Sequence, residues 1–279
     1  MPELPEVESL AAFLRGHAVG HAVTRADAAS FSVLKTFDPP LTSLSGQVIT
    51  DVGRHGKFLD LSSDQGLHLI MHLARAGWLR WRDEQPTAPP KPGKSPLAFR
   101  LTLDDGSGFD LTEAGTRKRL AVYLVRDPAE VPGIASLGPD PMAADFTVDT
   151  LAGLLAGRRT QVKGVLRDQR IIAGIGSIYA DEICFRSKLR PDRLGGSLTE
   201  AELGSLAKAA RAVLREAVKA RGSSLRDQRY RDVAGGLGSY QGRHAVYDRA
   251  GEPCPRCGKP VVRLEIGARS AYCCVECQL

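Results

Sequence analysis

Residues 131–142 read VPGIASLGPDPM. They hold three prolines and two glycines in twelve residues. The stretch therefore reads as a linker, placed at 131–146, and the hydrophobic pattern changes across it. Upstream, residues 41–126 alternate apolar and polar side chains. GKFLDLSSDQGLHLIMHLARAGWLRW (56–81) breaks at Asp64-Gln65-Gly66, FRLTLDDGSGFDLT (99–112) breaks around Asp105-Gly106, and RLAVYLV (119–125) is one more strand. QPTAPPKPGKSP (85–96) is a proline-rich surface loop. Short strands with tight turns predict a β-sandwich over residues 1–130, opened by a helix in which Val7, Leu10, Ala11 and Leu14 recur at helical spacing.

Downstream the period becomes helical. Short helices are expected near 147–156, 160–168 and 176–187. A long one runs through SLTEAELGSLAKAARAVLREAVKARG (197–222), opened by the capping box of Thr199 and Glu202 and closed near Gly222. The expected class is α+β with two domains: an N-terminal β-sandwich flanked by helices (1–130), then a helical domain (147–235) that carries a terminal β-hairpin (236–279). No run reaches the length of a membrane span, and no signal peptide is evident, so a cytoplasmic protein without membrane attachment is expected.

Charge divides unevenly. Residues 1–145 hold 15 Lys and Arg against 18 Asp and Glu, whereas residues 146–279 hold 23 against 14. A basic second half suits a polyanion, with a solvated basic surface as the alternative. Five of the six cysteines fall in the last 26 residues. Cys254-x2-Cys257 and Cys274-x2-Cys277 have the pairing of a tetrahedral zinc site, a redox or disulfide role being the alternative. A four-cysteine site is closed, so this zinc would be structural, one per chain, and no organic cofactor is implied. Cys184, on an apolar stretch, is expected in the core. Arg269 sits at the tip of the hairpin between the two pairs; it is either a solvated turn charge or a phosphate contact.

Gly174-Ile175-Gly176 opens a helix at Ser177. Backbone N–H groups at a helix start suit a phosphate. With no preceding βαβ strand, the turn reads as a grip on a DNA backbone rather than as a dinucleotide site.

The chain opens MPELPEVESL (1–10). Pro5 suits the first residue of a helix, and Glu6 and Glu8 suit the positive end of its dipole. Pro2 and Glu3 have no such explanation. Methionine before a small residue is normally trimmed, which would leave Pro2 a free secondary amine. An α-amino group has a reference pKa of about 7.7–8.0 against about 10.4 for lysine, so it is a nucleophile at neutral pH without special burial. Its attack on a sugar C1′ gives an iminium that labilises the C2′ proton and the 3′ phosphate. Glu3 could exchange protons at the sugar, and Lys57 could reach a phosphate or a damaged base.

PELPEVE, Lys57, LGPDP, DQRIIAGIGSIYADE, RPDRL, GSSLRD and GEPCPRCG…CVECQ together resemble the formamidopyrimidine-DNA glycosylase and endonuclease VIII family, from residue 2 to residue 278. The resemblance implies a bifunctional glycosylase and abasic-site lyase that removes damaged, chiefly oxidised, bases from double-stranded DNA in base-excision repair and goes on to β/δ-elimination. Pro2 would be the Schiff-base nucleophile, Glu3 the acid, Glu6 a supporting carboxylate, Lys57 the hairpin lysine and Arg269 the zinc-finger arginine. The middle helices would form a helix–two-turn–helix, with Lys163, Gly176, Ser177 and Tyr240 among the DNA-binding residues. The implied enzyme is a monomer associated with the nucleoid.

The chain departs from the family pattern at its stack-filling residues. Arg75 stands where a methionine follows HL, and EAGTRKRLAV (113–122), with Arg117 and Arg119 and no phenylalanine, replaces an R-R-F-G stretch. Ser177 stands where the family turn has asparagine. Arginine can stack on bases, so the wedge could persist in other chemistry. A lyase-only or non-catalytic binder of abasic or bulky-lesion DNA is the competing expectation.

Overall fold

A computed structural model describes residues 1–91, 95–114, 118–225 and 230–279. It divides into two compact units, Met1–Ala135 with Ala220–Ser239, and Ser136–Lys219 with Tyr240–Leu279.

The first unit starts with helix α1 (Leu4–His17) and builds two four-stranded sheets. The strands are β1 (Val23–Ala28), β2 (Ile49–His55), β3 (Phe58–Ser63), β4 (His68–His72), β5 (Gly77–Arg82), β6 (Leu97–Leu103), β7 (Gly108–Glu113) and β8 (Ala121–Val125), and the short helix α2 spans Pro132–Ala135. Sheet orders are β1-β6-β7-β5 and β2-β3-β4-β8. One apolar core joins Val7, Leu10 and Leu14 of α1 to Leu59, Leu69 and Val122 of one sheet and Phe99, Phe109 and Leu111 of the other. The alternation along each strand places these side chains inward. Strand β1 lies outside the stretch expected to be extended: VTRADA is short and polar, and it is an edge strand held by β6 alone.

Register fixes which loops share an end of the second sheet. Leu59 faces Met71 across β3–β4, and His72 faces Ala121 across β4–β8. Beyond β8, residues 33–35 run parallel to it, with a bridge from Leu34 to Val122 and the Lys35 N–H donating to the Val122 carbonyl at 2.8 Å. The β2–β3 turn, the residues after β4, the residues before β8 and the turn at 30–33 therefore lie at one end.

Residues 220–239 pack with this unit, a correction to the expected domain bounds, which placed 220–235 in the helical domain and 236–239 with the terminal hairpin. The Trp78 indole donates to the Asp232 carbonyl at 3.0 Å, and the Trp81 N–H donates to the Val233 carbonyl at 2.9 Å.

The second unit holds α3 (Val148–Leu155), α4 (Val162–Arg167), α5 (Ser177–Arg186), α6 (Glu200–Lys219) and the hairpin β9 (Val262–Glu265)–β10 (Ser270–Cys273). The Thr199 N–H donates to Glu202 at 2.8 Å and the Glu202 N–H to the Thr199 hydroxyl at 3.3 Å, closing the expected capping box. Leu203, Leu206, Ala210, Val213, Leu214 and Ala217 form the buried face of α6. No helix among the described residues is long and apolar enough to cross a membrane.

Candidate active site and metal centre

The N-terminal residues are fixed by polar contacts within the first unit. Helix α1 begins at Leu4, so Pro5 takes its second position. Pro2, Glu3 and Glu6 are all buried. The Glu6 carboxylate accepts the Glu3 N–H at 2.7 Å through one oxygen and the Ser223 N–H at 2.7 Å through the other. It thus ties the start of α1 to a backbone more than two hundred residues away in sequence. Gly222 makes this possible. Its φ of +76° is left-handed, and a Cβ there would lie 2.5 Å from the Glu6 Oε1.

Lys57 occupies the two-residue turn of the β2–β3 hairpin, after Gly56 at φ +56°. The tip is pinned by Arg54, whose Nε donates to Glu8 of α1 at 3.0 Å and whose Nη1 donates to the Gly56 carbonyl at 3.1 Å. Lys57 is only 7% exposed. Burial first, and the Lys57 charge second, push the His72 imidazole down to about 4. His72 is thus a neutral ring beside an ammonium at neutral pH. The sequence reading passed over it, although it is the histidine of the HL pair that precedes Arg75.

Arg75 and Arg119 are both exposed, at the end of the sheet that carries Lys57. Glu113 shapes the second loop: its buried carboxylate accepts the N–H groups of Arg119 and Leu120 at 2.8 and 3.1 Å. Arg117 lies outside the described residues.

In the second unit the α4–α5 turn is laced by Gln169. Its amide donates to the Arg167 and Ile175 carbonyls and accepts the Gly174 N–H at 2.9 Å. Gly176 caps α5, and Ser177, partly exposed, is its first residue.

Two DNA-binding expectations are corrected. Lys163 is 1% exposed, and its Nζ lies 2.7 Å from Asp181 Oδ2, 2.6 Å from Asp181 Oδ1 and 2.7 Å from the Ser270 carbonyl. Its three donors are directed into the protein, so it anchors strand β10 to α5 rather than meeting a phosphate. Tyr240 is 2% exposed and packs between the Tyr179 and His244 rings, so it belongs to the core. The signal for an anchor lay in YADE: Asp181 holds Lys163, and the adjacent Glu182 accepts the N–H groups of Ala245, Val246 and Tyr247 at 2.8–3.0 Å.

The four cysteine sulfurs lie within 4.8 Å of one another, with Cys254–Cys277 at 3.9 Å and Cys257–Cys274 at 3.5 Å. A tetrahedron with metal–sulfur bonds of about 2.3 Å has edges of about 3.8 Å, so the set fits zinc and holds it as a closed structural site. Cys273 is buried apart from it, and Cys184 lies in the core as expected. Arg269 is exposed and closes the β9–β10 turn through reciprocal backbone hydrogen bonds with Ile266 at 2.8 and 3.2 Å. Gly267 and Ala268, at φ +53° and +58°, form its tip.

Comparison with known proteins covers the whole chain. The formamidopyrimidine-DNA glycosylase N-terminal domain matches residues 1–122, the formamidopyrimidine-DNA glycosylase H2TH domain 137–229, and the zinc finger found in FPG and IleRS 251–279. The formamidopyrimidine-DNA glycosylase of Desulforamulus reducens is 36% identical over 283 residues, covering 100% of this chain and 99% of the relative. That of Chloroflexus aurantiacus is 38% identical over 286 residues, covering 100% and 98%. The crystal structure of MutM (FPG) from Thermus thermophilus superposes with a TM-score of 0.84 at 35% identity, covering 99% of this chain and 98% of that one. Lactococcus lactis Fpg in complex with abasic-site DNA gives 0.86 at 26% identity, covering 99% of each.

Proposed function

The chain belongs to the formamidopyrimidine-DNA glycosylase family, and from that premise we propose how its own residues carry out base excision and strand cleavage on damaged duplex DNA. The Pro2 nitrogen, freed of Met1, attacks C1′ of the extruded nucleotide. The bond from C1′ to the base breaks, and the base leaves with a proton, for which Glu3 is the nearest carboxyl in sequence. The proline nitrogen gives up its proton, the C1′–O4′ bond breaks with O4′ taking a proton, and the open-chain iminium so formed draws electrons from the C2′–H bond. Loss of that proton expels the 3′ phosphate, and a second elimination expels the 5′ phosphate. The nucleotide must leave the stack first, because C1′ cannot be reached within it.

The observation that carries this reading is the Glu6 bridge. By holding the Glu3 and Ser223 N–H groups it fixes the first residues of the chain, where a terminal nucleophile would otherwise fray. Lys57, on a hairpin pinned to α1 through Arg54 and Glu8, supplies a positive charge for a phosphate or for the lesion. The basic second unit supplies backbone binding, with Ser177, the Gly176 turn and Arg269 on phosphates. Its zinc carries no chemistry and stiffens the hairpin that bears Arg269. The compartment consistent with this work is the cytoplasm, at the nucleoid.

A panel of duplexes, each with a single oxidised base, a ring-opened purine or an abasic site, tests the assignment. We expect release of at least one modified base together with strand cleavage. Cleavage of abasic DNA with no base released from any duplex would replace the assignment with a lyase-only enzyme, the reading that arginine at 75 and 119, in place of the family's stack-filling residues, keeps open.

A further inference from the structure

Phe31 is 88% exposed, the most exposed large apolar residue among those described. Its ring approaches Phe37, itself 68% exposed, with centroids 6.5 Å apart. The turn carrying Phe31 overhangs a cavity of about 230 Å³, lined also by Val33, Leu97, Lys118 and Leu120, yet the ring stays in solvent.

The sheet register locates it. Residues 33–35 run parallel to β8, so the turn before them lies at the end of the sheet where β8 begins. From the Lys57 turn outward, that end carries the buried Lys57, then Arg75 after β4, then Arg119 before β8, then the turn that bears Phe31, whose ring leans toward Phe37. Neighbouring strands are about 4.8 Å apart, so the row has the span of a few base-pair steps. Lys35 and Lys118 are exposed near this turn and its cavity, and the exposed Asp38 that follows Phe37 is paired with Arg126 at 3.4 Å. An apolar protein partner would have to desolvate the two lysines, whereas a nucleic acid pairs them with phosphates and offers its bases to the ring.

We propose that Phe31 is a DNA-stacking side chain that packs on a base beside the extruded nucleotide, and so completes, together with Arg75 and Arg119, the group that holds the stack open. The proposal rests on the base-excision reading above. Extrusion leaves an unstacked base step, and an aromatic ring presented on the same edge as the catalytic lysine can cover it.

The test uses duplexes with a stable abasic analogue and with 2-aminopurine opposite or beside it. Wild-type binding should change the 2-aminopurine emission. Phe31→Ala should abolish much of that change and weaken binding to this duplex by roughly 5- to 100-fold, the loss of one stacked base. Binding to undamaged duplex should change little. Phe31→Trp should retain affinity, and its indole emission should be quenched on binding. Borohydride trapping on a single-stranded abasic oligonucleotide, which has no stack to hold open, should be equal in wild type and Phe31→Ala. An unchanged emission signal and affinity in Phe31→Ala would overturn the proposal, as would an equal loss on damaged and undamaged duplexes. Neither outcome touches the functional assignment, which fails instead if the wild-type protein neither traps on abasic DNA nor releases a base.

Discussion

On the proposed reading, the N-terminus and the hairpin bearing Arg269 are both small structures that must hold one group steady, and they are held by different means. Pro2 and Glu3 are buried, and the start of α1 is fixed by a carboxylate that grips backbone from a remote segment across a glycine that leaves it room. The β9–β10 hairpin has only two strands, a size that is marginal on its own in water. It is held at its base by four sulfurs and along β10 by the buried Lys163–Asp181 pair. A nucleophile needs a fixed position in a dry site. A phosphate-gripping arginine needs exposure on a stiff support. The difference shows that burial follows the chemistry of each group, not its importance.

The largest expected effect breaks the hairpin side alone. Cys254→Ser or Cys277→Ser should lose the zinc, and with it folding free energy on the order of several kcal/mol. Metal analysis should fall from one zinc per chain to none, and duplex affinity should collapse. The first unit should keep its β-sheet circular dichroism. Full DNA affinity without metal would mean that the Lys163 and Glu182 contacts suffice to hold the hairpin.

Next is the anchor itself. Lys163→Ala leaves the Asp181 carboxylate buried without its cation and should cost about 3–5 kcal/mol. The paired replacement Lys163→Met with Asp181→Leu should recover most of that loss in thermal melts, because no charge is left unpaired. If Lys163 acted on a phosphate, the double variant would instead bind DNA as poorly as the single one, and the salt dependence of binding would drop by about one phosphate.

On the reactive side, Gly222→Ala puts a Cβ into the Glu6 carboxylate at a left-handed backbone position. We expect a destabilisation of about 1–3 kcal/mol and a larger fall in trapping than in duplex affinity. An equal fall in both would show that the segment matters for DNA contact rather than for holding the N-terminus.

The smallest effect runs the other way. Ala268 adopts a left-handed conformation that costs an L-residue about 1–2 kcal/mol. Ala268→Gly should therefore raise the melting temperature of the second unit slightly without changing zinc content. No gain would mean that the turn relaxes to other angles in solution.

Much of this was legible in the sequence because short-range patterns carried it. The alternating strands, the capping box of α6 and the two cysteine pairs are each set by residues a few positions apart. The N-terminal proline was legible by elimination, since no helix rule required it. What escaped is long-range. Strand β1 has no apolar alternation of its own and is extended because β6 pairs with it. The Glu6–Ser223 bridge joins segments 217 residues apart, so Gly222 read as a helix stop rather than as room for a carboxylate. Lys163 and Tyr240 carried polar groups that suit DNA, and only the fold shows the Lys163 ammonium turned onto Asp181 and Tyr240 buried among rings. Phe31 was passed over because one phenylalanine among polar residues has no period, and its exposure exists only in three dimensions.

The central claim is that the terminal amine of Pro2 forms the covalent bond to sugar. The most direct measurement is peptide mapping by mass spectrometry of the complex reduced with borohydride on abasic DNA. The account predicts the sugar remnant on the nitrogen of Pro2, in a peptide that lacks Met1. A remnant on Lys57, or on any other lysine, in a protein whose Pro2 is free and unmodified would contradict it.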